Sequence, residues 1–99
     1  MKAQEKNLPR NNDTGTWESD GWIGCYGRGV TRRATQFLVL VAAGLNSKTI
    51  AQRFCMSHES VNQRLSDARF HLGAKTRAEL VAKAMARGVI MPKEAEPCA

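Results

Sequence analysis

Between Val30 and Ile90 the chain reads VTRRATQFLVLVAAGLNSKTIAQRFCMSHESVNQRLSDARFHLGAKTRAELVAKAMARGVI, and its apolar residues recur at helical spacing. Val61, Leu65, Ala68 and Leu72 fall at i, i+4, i+7 and i+11, which puts all four on one face of an α-helix. Gly44, Cys55 and Gly73 break the periodic runs, so the segment divides into four short helices. The first is predicted from its N-cap Thr31 to Ala43, with a left-handed Gly44 after it and an apolar stripe of Phe37, Leu38, Leu40, Val41 and Leu45. The second starts after Asn46 or Ser47 and buries Ile50, Ala51 and Phe54. The third follows Ser57 and runs to Leu72. The fourth opens at TRAE, where Thr76 and Glu79 are spaced as a capping box, and closes at Gly88. Its inner stripe is Leu80, Val81, Ala84 and Met85, and a second strip, Ala78, Ala82, Ala86 and Val89, is small enough to let another helix approach closely.

The flanks read differently. Residues 1–29 contain Asn7, Asn11, Asn12 and five glycines with few aliphatic side chains, too little apolar surface to offset the entropy of ordering. A flexible segment is expected there, and a frayed tail over residues 91–99. Trp17, Trp22 and Tyr26 nevertheless cluster in the first stretch, where they could dock on the domain or on a partner protein. The expected fold is all-α: a four-helix domain over residues 30–90 with a mostly disordered N-terminal segment.

Charge narrows the function. The four basic and four acidic residues before Val30 cancel, so the net +6 of the chain lies after Gly29. A basic compact domain suits a polyanion, nucleic acid first among them, although excess Lys and Arg also serves solubility alone. Cys25, Cys55 and Cys98 are odd in number and form no CxxC pair, which argues for reduced thiols and against a disulfide framework or metal site. The longest apolar run, FLVLVAAGL, is half of the roughly 20 residues a membrane span needs. A soluble cytoplasmic protein with no membrane association and no cofactor is expected. His58 and His71 lie on different parts of the motif, and no Ser/His/Asp or Cys/His set can be placed near a pocket.

The third helix carries the chemistry on its outward face. Asn62, Ser66 and Arg69 share that surface, flanked by Glu59, Gln63 and Phe70, whereas a merely solvated helix more often shows Glu and Lys pairs. Asn and Gln amides pair bidentately with N6 and N7 of adenine in the major groove. Ser47, Lys48 and the free N–H groups at the start of the second helix could hold a phosphate while the third helix enters the groove.

These segments together resemble the LuxR/GerE-type DNA-binding domain of bacterial transcription regulators, without a gap over residues 30–90. The matching pieces are Val30-Thr31, LVAAGLNSKTIAQRF, Ser57, Val61-Asn62-Gln63-Arg64, HLG and TRAELV. The resemblance implies a stand-alone regulator without receiver or ligand-sensing domain, bound to double-stranded DNA as a homodimer. It implies base contacts from Asn62, Gln63 and Ser66, and phosphate contacts from Ser47, Lys48, Arg64 and Arg69. The dimer would form through the fourth helix at Ala78, Ala82, Ala86 and Val89. Four departures stand out: Asn62 replaces the family's common Lys, Arg64 its His, Ala34 its Glu and Cys55 its Gly. A left-handed turn at Cys55 would cost about 1 kcal/mol or more. The competing expectation is a small interaction protein that pairs with a full-length regulator and antagonises it, with Trp17, Trp22 and Tyr26 as its partner-binding element.

Overall fold

A computed structural model describes residues 14–93. Its elements in chain order are β1 (Thr16–Ser19), β2 (Trp22–Cys25), α1 (Arg32–Ala42), α2 (Ser47–Phe54), α3 (His58–Leu72), α4 (Arg77–Ala86) and β3 (Ile90–Pro92). Residues 1–13 of the expected flexible segment and 94–99 of the expected tail lie outside the described residues.

Each helix is bounded by its own sequence. Thr31, Asn46, Ser57 and Thr76 are the N-caps, and each side-chain oxygen accepts the backbone N–H three residues on, from Ala34, Thr49, Ser60 and Glu79. Those bonds satisfy donors that the first helical turn leaves without partners. At the other ends a left-handed residue turns the chain: Gly44, Cys55, Gly73 and Gly88 all have positive φ. The N–H that follows each then reaches back five residues, Leu45 to Leu40 (3.0 Å), Met56 to Ala51 (3.0 Å), Ala74 to Arg69 (2.8 Å) and Val89 to Ala84 (2.9 Å). This is the Schellman closure, and three of the four positions use glycine because it alone adopts it without cost. Cys55 adopts the same conformation, φ 55° and ψ 46°, without that freedom.

The all-α expectation is overturned by a three-stranded antiparallel sheet of order β1-β2-β3. Asp20 and Gly21, both at positive φ, form the two-residue turn between Ser19 and Trp22, as a hairpin with right-handed strand twist requires. Every second residue then faces α1. Gly24 is buried there, and a Cβ on it would lie 2.7 Å from Thr35 Cγ2 and 2.9 Å from Val39 Cγ2, so only glycine lets the strand sit this close to the helix. β3 pairs with β2, Gly24 opposite Ile90 and Trp22 opposite Pro92. Residues 14–29 are therefore not a flexible segment, and Met91 and Pro92 are not frayed. Ordering them is offset by aromatic rather than aliphatic burial: Tyr26 is buried, and Trp17 and Trp22 pack half-buried against the core.

The core lies between the sheet and the helices. Phe37, Leu38, Val39 and Leu40 from α1, Ile50 from α2, Val61 and Leu65 from α3, Leu80 and Ala84 from α4, and Ile90 meet there. Two expectations for the fourth helix fail. Met85 is 42% exposed, so it does not belong to the inner stripe. Val89 is fully buried, because Gly88 turns the chain inward and ends the helical period before Val89 is reached. Its carbonyl accepts the Cys25 N–H at 2.8 Å, and it cannot belong to an outward dimer strip.

Candidate nucleic-acid interface

The third helix is seated by the face expected of it, with Val61, Leu65, Ala68 and Leu72 buried. Packing of that face leaves Asn62, Gln63, Arg64 and Ser66 exposed and Arg69 half-buried. α2 precedes α3 across a three-residue turn, Cys55 to Ser57, and the two helices pack on each other.

The exposed side chains are not equally free. The Asn62 Oδ1 accepts a hydrogen bond from the Ser47 hydroxyl at 2.7 Å, and its Nδ2 lies 3.3 Å from the His58 ring Nε2. Ser47 is itself buried, and its oxygen also accepts from the Arg77 guanidinium at 3.4 Å. Arg77, Ser47, Asn62 and His58 thus form one chain of hydrogen bonds across α4, α2 and α3. Two of the expected DNA-contact residues are thus also bonded within the fold, the Ser47 hydroxyl to Asn62 and the Asn62 amide across two helices. One N–H and one lone pair of the exposed Asn62 amide are left over from these bonds. Gln63 donates its amide N–H to Asp67 at 3.1 Å, and its carbonyl has no partner among the described residues. Ser66, Lys48 and Arg64 are exposed and have no hydrogen-bond or ion-pair partner among the described residues. Arg69 donates to the Lys75 carbonyl at 3.2 Å.

A shallow groove of about 180 Å³ opens between α3 and α4, lined by Asn62, Leu65, Ser66, Arg69, Arg77 and Leu80. Arg77 is the functional candidate that sequence reasoning missed. A signal for it existed, since Arg77 precedes the core residue Leu80 by three positions and so shares a helix face with it. Phe70 stands 82% exposed near the C-terminal end of α3, its ring 6.1 Å from that of His71.

Of the acidic residues near this surface, Glu79 is ion-paired. Glu79 accepts from the Lys75 N–H at 2.8 Å and pairs with Lys83 at 3.2 Å. The Lys75 N–H first, and Lys83 second, hold its carboxyl below the usual carboxylate range. Among the described residues no group of three His, Cys, Asp or Glu is placed to hold a metal ion, and no helix is long and apolar enough to cross a membrane.

No protein-family model, curated protein or solved structure matches the chain. The functional reading therefore rests on the residues and geometry themselves.

The aromatic residues expected to meet a partner are used internally. The Tyr26 hydroxyl accepts from the Gln36 amide at 2.8 Å, and the Arg32 guanidinium lies 4.0 Å over the Tyr26 ring. The Trp17 ring packs 6.3 Å from Phe54, which in turn meets Phe37 edge-on at 5.1 Å. Trp22 packs against the same core.

Proposed function

We propose that this chain is a sequence-specific double-stranded DNA-binding regulator of transcription that reads the major groove with α3. The observation that carries the reading is the α2–turn–α3 unit: α3 buries one face in the core while its opposite face, with Gln63 and Ser66, stays open and Arg64 is exposed on one flank. The helix-turn-helix of DNA-binding proteins has this layout, two helices joined by a short turn, the second free to enter a groove about 12 Å wide. Lys48 at the start of α2 has no ion-pair partner among the described residues and lies beside N–H groups that favour phosphate, and the net charge of +6 favours a polyanion.

The resemblance to LuxR/GerE-type domains extends the proposal to a cytoplasmic homodimer paired through α4, now at Ala78, Ala82 and Ala86 without Val89. All three alanines are exposed. Trp17, Trp22 and Tyr26, the partner-binding element of the antagonist reading, pack on the domain itself, which favours direct DNA binding over that reading.

Selection of bound sites from a random duplex pool tests the proposal. Enrichment of a motif with two half-sites about one helical turn apart is expected. Lys48→Ala should weaken binding on all sequences alike and lower the log–log salt slope by about 1. A pool that enriches nothing, with no salt-dependent binding to any duplex, would remove the reading.

A further inference from the structure

The groove between α3 and α4 has a composition that surface helices do not need for folding. Its floor is apolar, Leu65 and Leu80, both buried. Arg69 from α3 and Arg77 from α4 both line it, and neither pairs with a carboxylate among the described residues. Each uses a guanidinium nitrogen on a neutral oxygen of the protein, Lys75 O or Ser47 Oγ, and a guanidinium offers five donors in all. Of the three carboxylates on the same two helices, Asp67 accepts from Gln63, Glu79 is held by Lys75 and Lys83, and Glu59 stands in the first turn of α3, ten residues before Arg69. Ser66, which also lines the groove, has a hydroxyl with no partner among the described residues. Two guanidinium groups lining one groove over an apolar floor repel each other in a medium that screens less than water does. A small anion between them removes that repulsion and takes up the unused donors.

We propose that this groove is a phosphoryl-binding site in which Arg69 and Arg77 clamp the oxygens of one phosphate and the Ser66 hydroxyl donates to a third. Arginine forks match the geometry of phosphate oxygens, and a cleft of this volume admits one such group. The hydrogen bond from Arg77 to Ser47, which in turn donates to Asn62, anchors one half of the clamp to α2 and α3. The phosphate has two sources of the same chemistry: a backbone phosphodiester beside the bases α3 would read, or a free phosphate monoester. Only the first source rests on the DNA-binding reading.

Titration of the isotope-labelled full chain with sodium phosphate, against sodium chloride of equal ionic strength, tests the site by NMR. Saturable shifts confined to the Arg69 and Arg77 side-chain N–H signals and the Ser66 amide are expected. Ser66→Asp sets a carboxylate at the groove and should abolish them; because Ser66 is exposed, this variant keeps its fold even if an Arg77→Gln variant does not. A duplex DNA arm separates the sources. A log–log salt slope lowered by about 1 in Arg77→Gln assigns the site to a phosphodiester, and an unchanged slope with saturable phosphate binding assigns it to a free monoester. No saturable shift at tens of millimolar phosphate overturns the proposal whatever the DNA arm shows. Failure of the wild-type chain to bind any duplex would retire the DNA-binding reading alone.

Discussion

Each of the four helices is bounded within a dozen or so residues of its own sequence, whereas the sheet closes only when Gly24 finds Ile90, 66 positions further on. The helices carry caps at both ends and an apolar face of helical period, so local preference and tertiary placement agree. The hairpin has a local signal in its Asp20-Gly21 turn, but two four-residue strands are marginal alone in water. They persist because Gly24 admits close contact with α1 and because Trp17 and Trp22 cover core that the helices leave open. The helices specify themselves, and the sheet is specified by them.

Gly24→Val challenges that asymmetry hardest. Its side chain would meet Thr35 and Val39 side chains of a helix face that is fully buried, and overpacking of this kind costs about 1–3 kcal/mol. Both tryptophans lie in the sheet, so fluorescence reports on it while far-ultraviolet circular dichroism reports on the helices. We expect both probes to melt together at a lower temperature, as one cooperative unit does. A loss of the fluorescence transition with the helical melt unmoved would make the sheet a dispensable flap.

The same contrast explains what was legible beforehand. The helix boundaries and the buried face of α3 follow from spacing and caps, and all are found as expected. The hairpin was also written in the sequence, as TWES and WIGC about Asp-Gly, but counting aliphatic residues hid it because its burial is aromatic. β3 was not legible: nothing in Ile90-Met91-Pro92 reveals that its partner is Trp22 to Gly24. At the candidate interface, helical period identifies which residues face outward. It does not show that Asn62 would bond Ser47 on another helix, because that depends on how α2 crosses α3. Val89 failed for a simpler reason, that helical period was carried past a glycine that ends it.

Cys55→Gly sharpens the claim that helix ends act locally. Cys55 is exposed, so its side chain contributes no packing, while its left-handed backbone is disfavoured by roughly 1–2 kcal/mol relative to glycine. The greater freedom of glycine in the unfolded chain returns part of this, which leaves a stabilisation of about 1 kcal/mol or slightly less. Denaturant unfolding should show a higher midpoint with an unchanged slope. An unchanged or lower midpoint would mean that the thiol makes a contact which the backbone argument misses.

Asn62→Ala tests a link between helices rather than an end. Removing the amide leaves the Ser47 hydroxyl without its acceptor and should cost about 0.5–1.5 kcal/mol, the net value of an ordinary hydrogen bond. Asn62→Asp keeps an acceptor for Ser47 and should recover most of that stability while placing a negative charge on the α3 face. DNA affinity should therefore fall further in the Asp variant than in the Ala variant although the fold is firmer. A residue that only reads a base would leave the melting temperature of the Ala variant at the wild-type value.

The smallest effect is expected at the tip of the hairpin, where the sheet touches α2. The Asp20 carboxylate accepts from Arg53 at 2.7 Å and from the Ser19 hydroxyl at 3.0 Å, and these two donors, Arg53 first, hold its carboxyl below the usual carboxylate range. A group whose folded value is depressed stabilises the fold fully above its unfolded value, and that contribution is lost as pH falls through the depressed one. Asp20→Asn should therefore melt slightly below wild type at neutral pH, and the gap should close once the pH drops under the ordinary carboxylate range of about 4. Because the pair is exposed, added salt should shrink the gap as well. Glu79 on α4 is depressed in the same direction by the Lys75 N–H and Lys83, so Glu79→Gln is the matching variant on the helical side. If sheet and helices form one cooperative unit, each variant lowers the fluorescence and dichroism transitions by equal amounts. A shift confined to tryptophan fluorescence in Asp20→Asn would show instead that the hairpin tip opens by itself while Gly24 and Ile90 stay paired.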